Sequence, residues 1–313
     1  GAVVLSLFIP VFIEKARFLS HLGYVYGIAG LATIGLVFVF GESVYGATNW
    51  VTIAGIGFQP SEIAKIIFVF FVASMLYKKT DLKRIMVTSV IAAIHVLLLV
   101  AEKDLGAAVI FFVTYLFMLY VATQQIIWPF LGITGGGIAS VGAYFAFGHV
   151  RRRVTAWLHP WENYEDAGYQ ICQSLFAIGT GSWFGMGLFE GTPMSIPVRE
   201  SDFIFSVISE EMGGIVAICL ILIFMSNFIM FIHISLKLTN NFYKILAVGL
   251  SISYGFQVFL SVGGVIKMIP HTGVTLPLIS YGGSSILSTI FVFAVIQGLY
   301  LLKQKEVNRS EGK

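Results

Sequence analysis

Residues 203–236 read FIFSVISEEMGGIVAICLILIFMSNFIMFIHISL, a run whose only charged side chains are Glu210 and Glu211. A helix needs about 20 apolar residues to cross the hydrocarbon of a bilayer. A helix also closes its backbone hydrogen bonds within itself, as a segment surrounded by lipid must. The run is longer than a straight crossing, so it is expected to tilt or to project beyond the membrane. Seven further runs of the same kind follow from the sequence: Leu22–Phe40, Pro60–Tyr77, Ile85–Ala101, Gly106–Ala122, Ile126–Phe147, Phe242–Lys267 and Ser280–Leu302. A shorter run, Gly1–Ile13, is too brief to span and lacks the basic start and small-residue cleavage site of a signal peptide, so it reads as the tail of a truncated helix. The fold class expected is all-α, a polytopic transmembrane helix bundle of about eight helices plus a partial one. It should form a single integral membrane domain over residues 1–313.

Composition agrees. Hydrophobic residues make up 57% and charged residues 11%, with mean hydropathy +0.89, whereas soluble domains carry about 25% charged residues. A soluble enzyme and a nucleic-acid binder are both excluded. The two cysteines, Cys172 in a polar stretch and Cys219 inside an apolar run, are read as free thiols. The six histidines never fall at metal-ligand spacing, and no serine and histidine pair suggests a nucleophilic triad.

Charge placement orients the bundle. Alternate connections hold Lys15, Arg17, Lys78, Lys79, Lys83, Arg84, Lys237, Lys244, Lys303, Lys305, Arg309 and Lys313. Those connections are therefore assigned to the cytoplasm, and the C-terminus with them. The long loop 148–202 before the helix starting near Phe203 then lies outside. Its stretch Gly179–Gly187 matches no phosphate-binding loop, because no strand precedes it, and its glycines suit tight turns and interfacial packing at the membrane surface. Lys65, Lys103, Arg151, Arg152, Arg153, Arg199 and Lys267 break the cytoplasmic bias. They form an outward basic collar.

Several carboxylates sit where a bundle tolerates charge only for a reason. Asp202 lies between a polar loop and an apolar helix, a position that suggests chemistry, while Ser201 or Asp202 capping the helix is the plainer alternative. In the stretch from Phe58 to Lys65, Pro60 suits a first helical turn and Ser61 can cap it. Glu62 and Lys65, three apart, share one helix face and can pair; Lys65 is also placed to meet an anion. Glu102 and Lys103 read as a solvated turn, whereas Gly106 would hold the carboxylate of Asp104 close to the bundle. Arg151 to Arg153 suit either lipid headgroups or a phosphate clamp, since the guanidinium fork matches phosphate oxygens.

The ordered motifs resemble one family. They are Gly46–Trp50 with Phe58–Glu62, the Asp104-Leu105-Gly106 corner, Arg153-Val154 through Pro160-Trp161 to Gly168-Tyr169-Gln170, Ser201–Phe205 with Glu210-Glu211, and Thr272–Leu278 with Ser280–Ser285. Together they resemble the SEDS family of RodA, FtsW and SpoVE over nearly the whole chain. The resemblance implies a ten-helix fold in the bacterial cytoplasmic membrane, with both termini cytoplasmic and the site on the outer face. It implies a peptidoglycan glycosyltransferase that polymerises lipid II, with Asp202 as catalytic base. Lys65, Arg151 and Arg153 would then meet the diphosphate, Glu62 would orient Lys65, Trp50 would line the sugar or lipid path, and Asp104 and Arg199 would join the substrate-binding set. The implied partners are a class B penicillin-binding protein acting as transpeptidase and other cell-wall or division machinery. No cofactor is fixed, although a divalent cation, magnesium or manganese, bridging diphosphate and carboxylates is compatible with the chemistry. Three departures stand out: Lys103 where the family usually has proline, Pro197–Ser201 ahead of Asp202, and Ser182-Trp183 where a glycine pair is common. A lipid II flippase and a non-catalytic scaffold for the transpeptidase remain the alternatives.

Overall fold

A computed structural model describes every residue except 1, 16, 45, 46, 54, 193, 194, 312 and 313. Gly1, Gly46 and Lys313 of the sequence expectations therefore lie outside the described residues. Among the described residues the chain forms eleven α-helices and one small sheet. In order these are α1 (Ala2–Lys15), α2 (Gly23–Phe40), β1 (Gly41–Val44), β2 (Ala47–Ile53), β3 (Ile56–Phe58), α3 (Pro60–Leu76), α4 (Leu82–Ala101) and α5 (Leu105–Thr123). Then come α6 (Ile127–Ala146), α7 (Gly148–Leu158), α8 (Tyr169–Gly181), α9 (Ile204–Leu236), α10 (Asn241–Val265) and α11 (Gly283–Glu311). Seven of them, α2, α4, α5, α6, α9, α10 and α11, are long and apolar enough to cross a membrane. The eighth expected span, α3, has 17 residues and is buried along almost its whole length, as befits a helix that beyond Lys65 is apolar on nearly every side.

The chain divides into two compact units. One comprises residues 1–130, 228–254 and 283–313, the other 131–227 and 255–282. In the first, α3 is the core element. Phe68 packs on Phe111 with ring centroids 4.7 Å apart and on His95 at 5.2 Å. Gly30 of α2 admits that histidine, since a Cβ there would lie 2.6 Å from its Nε2. The antiparallel sheet β1-β2-β3 closes the α2 to α3 connection.

In the second unit α8 packs against the start of α9. A Cβ on Gly181 would lie 1.9 Å from the Ser209 carbonyl, so only glycine allows that approach. Buried Ser174 binds the Val265 carbonyl at 2.9 Å and Ser206 at 2.6 Å, tying α8 to α9 and to the end of α10. Helices α7 and α8 occupy part of the stretch expected as a loop.

The Phe203–Leu236 run is not one tilted crossing. Gly213 has φ +84 and ψ 169, which breaks α9 in two. The amides and carbonyls released by the break are taken up by residues 182–187. Gly214 N bonds to Ser182 O at 2.8 Å and Ile215 N to Trp183 O at 3.3 Å, while Met186 N bonds to Glu210 O at 2.9 Å and Gly187 N to Glu211 O at 3.1 Å.

Candidate active site

Asp202 occupies the turn ahead of α9, whose first amides, Ser206 N and Val207 N, bond to the Phe203 carbonyl. Phe203 thus takes the N-cap position, and Asp202 is partly exposed one residue before it. The segment 271–281 forms its seat. Gly273, at φ +71, faces the carboxylate so closely that a Cβ there would stand 3.3 Å from Asp202 Oδ2. Ser280 Oγ donates to the Ser201 carbonyl at 2.5 Å and accepts from Leu276 N at 2.7 Å. Tyr281 N donates to the Glu200 carbonyl at 2.8 Å. Two backbone carbonyls immediately before Asp202 are therefore held by one strap.

Arg153 holds the other end of the strap, donating from Nη1 to the Thr272 carbonyl at 3.0 Å. Beside it, His271 stacks on Phe203 at 4.4 Å. Burial, and after it the Arg153 charge, push His271 down to about 3. The three consecutive arginines diverge because successive helical residues point in different directions. Arg151 is exposed, Arg152 pairs with Asp166, and Arg153 turns to the strap. Arg199 lies 3.8 Å from Glu200 at the surface.

The other candidates belong to the first unit. Lys65 Nζ donates to Glu62 Oε2 at 2.9 Å, both residues are buried, and Ser288 Oγ donates to the same oxygen at 2.6 Å. Asp104 caps α5 by accepting from Ala107 N at 3.0 Å. Its other oxygen accepts from Gln59 Nε2 at 2.8 Å, Ser61 Oγ at 3.0 Å and Asn49 Nδ2 at 3.4 Å. Ser61 therefore serves Asp104, and Gln59 rather than Ser61 holds the N-cap position of α3. Trp50, in β2, is half-buried beside Gly57 of β3.

Glu102 corrects the expectation of a solvated turn, since it is 3% exposed and its Oε1 finds no hydrogen-bond partner among the described residues. Burial, and then the charge of Asp104, push it up to about 8. Lys103 beside it adopts φ +63, a conformation proline cannot reach. The expected site residues thus fall into two sets: Trp50, Glu62, Lys65 and Asp104 in one unit, and Arg151, Arg153, Arg199 and Asp202 in the other. Ser280, Gly273 and Ser288 were missed as positioning groups, although the first two lie in motifs that carried the family resemblance.

Helices this long and apolar make the chain a multi-pass membrane protein whose ionisable groups gather near helix ends. More narrowly, it belongs to the FtsW/RodA/SpoVE family, whose model, described as "Cell cycle protein", matches residues 1–304. The peptidoglycan glycosyltransferase RodA of Mycobacterium tuberculosis is 34% identical over 304 residues, covering 91% of this chain and 65% of that protein. A probable peptidoglycan glycosyltransferase FtsW of Escherichia coli O157:H7 is 36% identical over 263 residues, covering 80% of this chain and 63% of the relative. The chain thus spans somewhat less than two thirds of the length of these relatives. Among solved structures, a chain of a peptidoglycan synthase complex superposes with TM-score 0.81 at 24% identity, covering 96% of this chain and 88% of that one. RodA of Thermus thermophilus gives TM-score 0.68 at 23% identity, covering 96% and 85%. At these identities the structures speak for the fold alone.

Proposed function

We propose that this protein polymerises lipid II into glycan strands, with Asp202 as the general base. The observation that carries this reading is the seat of Asp202, a partly exposed carboxylate fixed by the 271–281 strap just ahead of the first turn of α9. The names of the RodA and FtsW relatives, peptidoglycan glycosyltransferases, support it.

In the reaction, the 4-hydroxyl oxygen of an acceptor GlcNAc attacks the anomeric carbon of a donor MurNAc. The bond from that carbon to the phosphate oxygen breaks, the hydroxyl proton passes to the Asp202 carboxylate, and undecaprenyl pyrophosphate departs with the bonding electrons. An α-linked donor giving a β-1,4 product inverts in one displacement, so no covalent enzyme intermediate is needed. General base catalysis of this kind contributes roughly 10²–10⁴-fold. Exposed Arg151 and half-buried Arg199 supply positive charge in the Asp202 unit, Arg153 fixes the strap, and Lys65, oriented by Glu62, offers a cation to the diphosphate. Asp104 holds Gln59 and Ser61 in place, and Trp50 lines the path of sugar or lipid. A divalent cation, magnesium or manganese, would have to lean on the substrate's own oxygens, because no group of three His, Cys, Asp or Glu side chains among the described residues fits one.

The positive-inside distribution supports a cytoplasmic C-terminus and a site on the outer face of the bacterial cytoplasmic membrane. A class B transpeptidase is the partner proposed, in keeping with a structural neighbour that belongs to a peptidoglycan synthase complex. The test is a lipid II polymerisation assay on purified full-length protein. Asp202→Asn should remain folded and lose strand synthesis. Polymer at the wild-type rate from that variant would overturn the assignment, and lipid II transfer across vesicles without polymer would point to transport instead.

A further inference from the structure

Residues 182–189, SWFGMGLF, carry no charged side chain. Trp183 and Leu188 are each 62% exposed, Phe184 86% and Phe189 91%. The backbone of residues 182–187, which carries Trp183 and Phe184 and leads into Leu188 and Phe189, is fixed in the α9 break by four hydrogen bonds. The contact is tight as well. A Cβ on Gly185 would lie 2.2 Å from the Glu211 carbonyl, and one on Gly213 would lie 2.4 Å from Gly185 N. A rigid loop that holds four large apolar groups outward needs an apolar surround.

The position of the break identifies that surround. At 1.5 Å per residue the part of α9 after Gly213, residues 214–236, is about 35 Å long, close to the hydrocarbon thickness of a bilayer. Gly213 therefore marks where α9 enters the membrane, and the loop is strapped to the helix at that level. The exposed face of the crossing begins there with Ile215, Ile218 and Leu222, a surface that lipid covers in a multi-pass protein. It runs without interruption into the loop through a groove of about 350 Å³, lined by Ile178, Trp183, Phe205, Ala217, Ile218 and Ile221.

We propose that residues 183–189 are a bilayer anchor on the side of the membrane that carries the 148–202 segment. Trp183, Phe184 and Phe189 sit at the boundary of headgroups and acyl chains, where aromatic rings concentrate, and the groove beside Trp183 takes one lipid hydrocarbon chain. This anchor is independent of the chemistry assigned to Asp202, which only shares its unit.

The experiment is nitroxide depth measurement on the full-length protein in lipid nanodiscs, with no partner present. Labels are attached at Phe184→Cys and Phe189→Cys in a Cys219→Ser background, Cys172 being buried. Collision with oxygen should exceed collision with a water-soluble nickel chelate at both sites, placing the labels below the lipid phosphates. Dominant collision with the nickel chelate would put the loop in water, leaving its surface for a protein partner, and shielding from both reagents would mean protein already covers it. Either result overturns the anchor. A second measurement, on a variant without new cysteines, is Trp183→Phe in nanodiscs of lipid brominated near the head of its acyl chains. Loss of a distinct share of the tryptophan quenching is expected, and quenching unchanged from wild type would also overturn the proposal.

Discussion

A methyl group at residue 273 would stand 3.3 Å from the Asp202 carboxylate, and it would also sit on a backbone at φ +71. The left-handed conformation costs an alanine about 1 kcal/mol relative to glycine. The crowding pushes the carboxylate aside, and a displacement of about 1 Å at a reacting group can lower a rate about 10²-fold. Gly273→Ala is therefore expected to lose about 10²-fold in lipid II polymerisation while its melting temperature falls by only a few degrees. Equal losses in stability and rate would show that the glycine serves the fold alone. The Glu62–Lys65 pair behaves differently, since both partners are buried. Lys65→Met leaves a buried carboxylate without that partner, a change worth about 3–5 kcal/mol. The double variant Glu62→Gln/Lys65→Met removes both charges and should recover most of the stability in denaturant unfolding. If the lysine also meets the diphosphate, the recovered protein stays inactive, whereas recovered polymerisation would make the pair purely structural.

For helix α9, length and apolarity are legible in residues 203–236, but the break is not, because Gly213-Gly214 also reads as a tolerated small-residue pair. What turns it into a break is residues 182–187, distant in sequence, whose backbone replaces the missing helical bonds. Helices α7 and α8 escape a periodicity reading for a related reason. They are short, and α7 carries three arginines, of which Arg152 and Arg153 find their contacts, Asp166 and the Thr272 carbonyl, elsewhere in the chain. The sheet over residues 41–58 is hidden likewise, since short strands between two spans carry little signal. Asp202 and the Glu62–Lys65 pair were legible because charge is conspicuous against an apolar background. Gly213→Ala tests the element directly. Its φ and ψ lie where only glycine is at ease, about 1–3 kcal/mol for other residues, and its Cβ would meet Gly185 N at 2.4 Å. Residues 182–187 should detach from α9, and hydrogen exchange at Met186 and Gly187 should accelerate well beyond that of the α8 core. Unchanged protection there would refute the account of the break.

For the molecule as a whole, half-buried His271 and buried Glu102, both outside the spans, link stability to pH with opposite sign. His271 has its folded value lowered to about 3 from 6.5, mainly by burial and then by Arg153. Between those values the unfolded chain binds more protons, so stability is fully present above about 6.5 and is lost as pH falls toward 3. Glu102 has its folded value raised to about 8 from 4.5, by burial and then by Asp104. Here the folded chain binds more protons, so stability is fully present below about 4.5 and drains away as pH rises through about 8. The melting temperature in nanodiscs should therefore pass through a maximum in mildly acidic buffer and decline on both sides. Glu102→Gln keeps the shape of the neutral acid without its proton, so its curve should flatten on the alkaline side only, and His271→Asn should flatten the acid side only. An alkaline decline as steep in Glu102→Gln as in wild type, measured between about pH 6 and about pH 9, would remove Glu102 as its source.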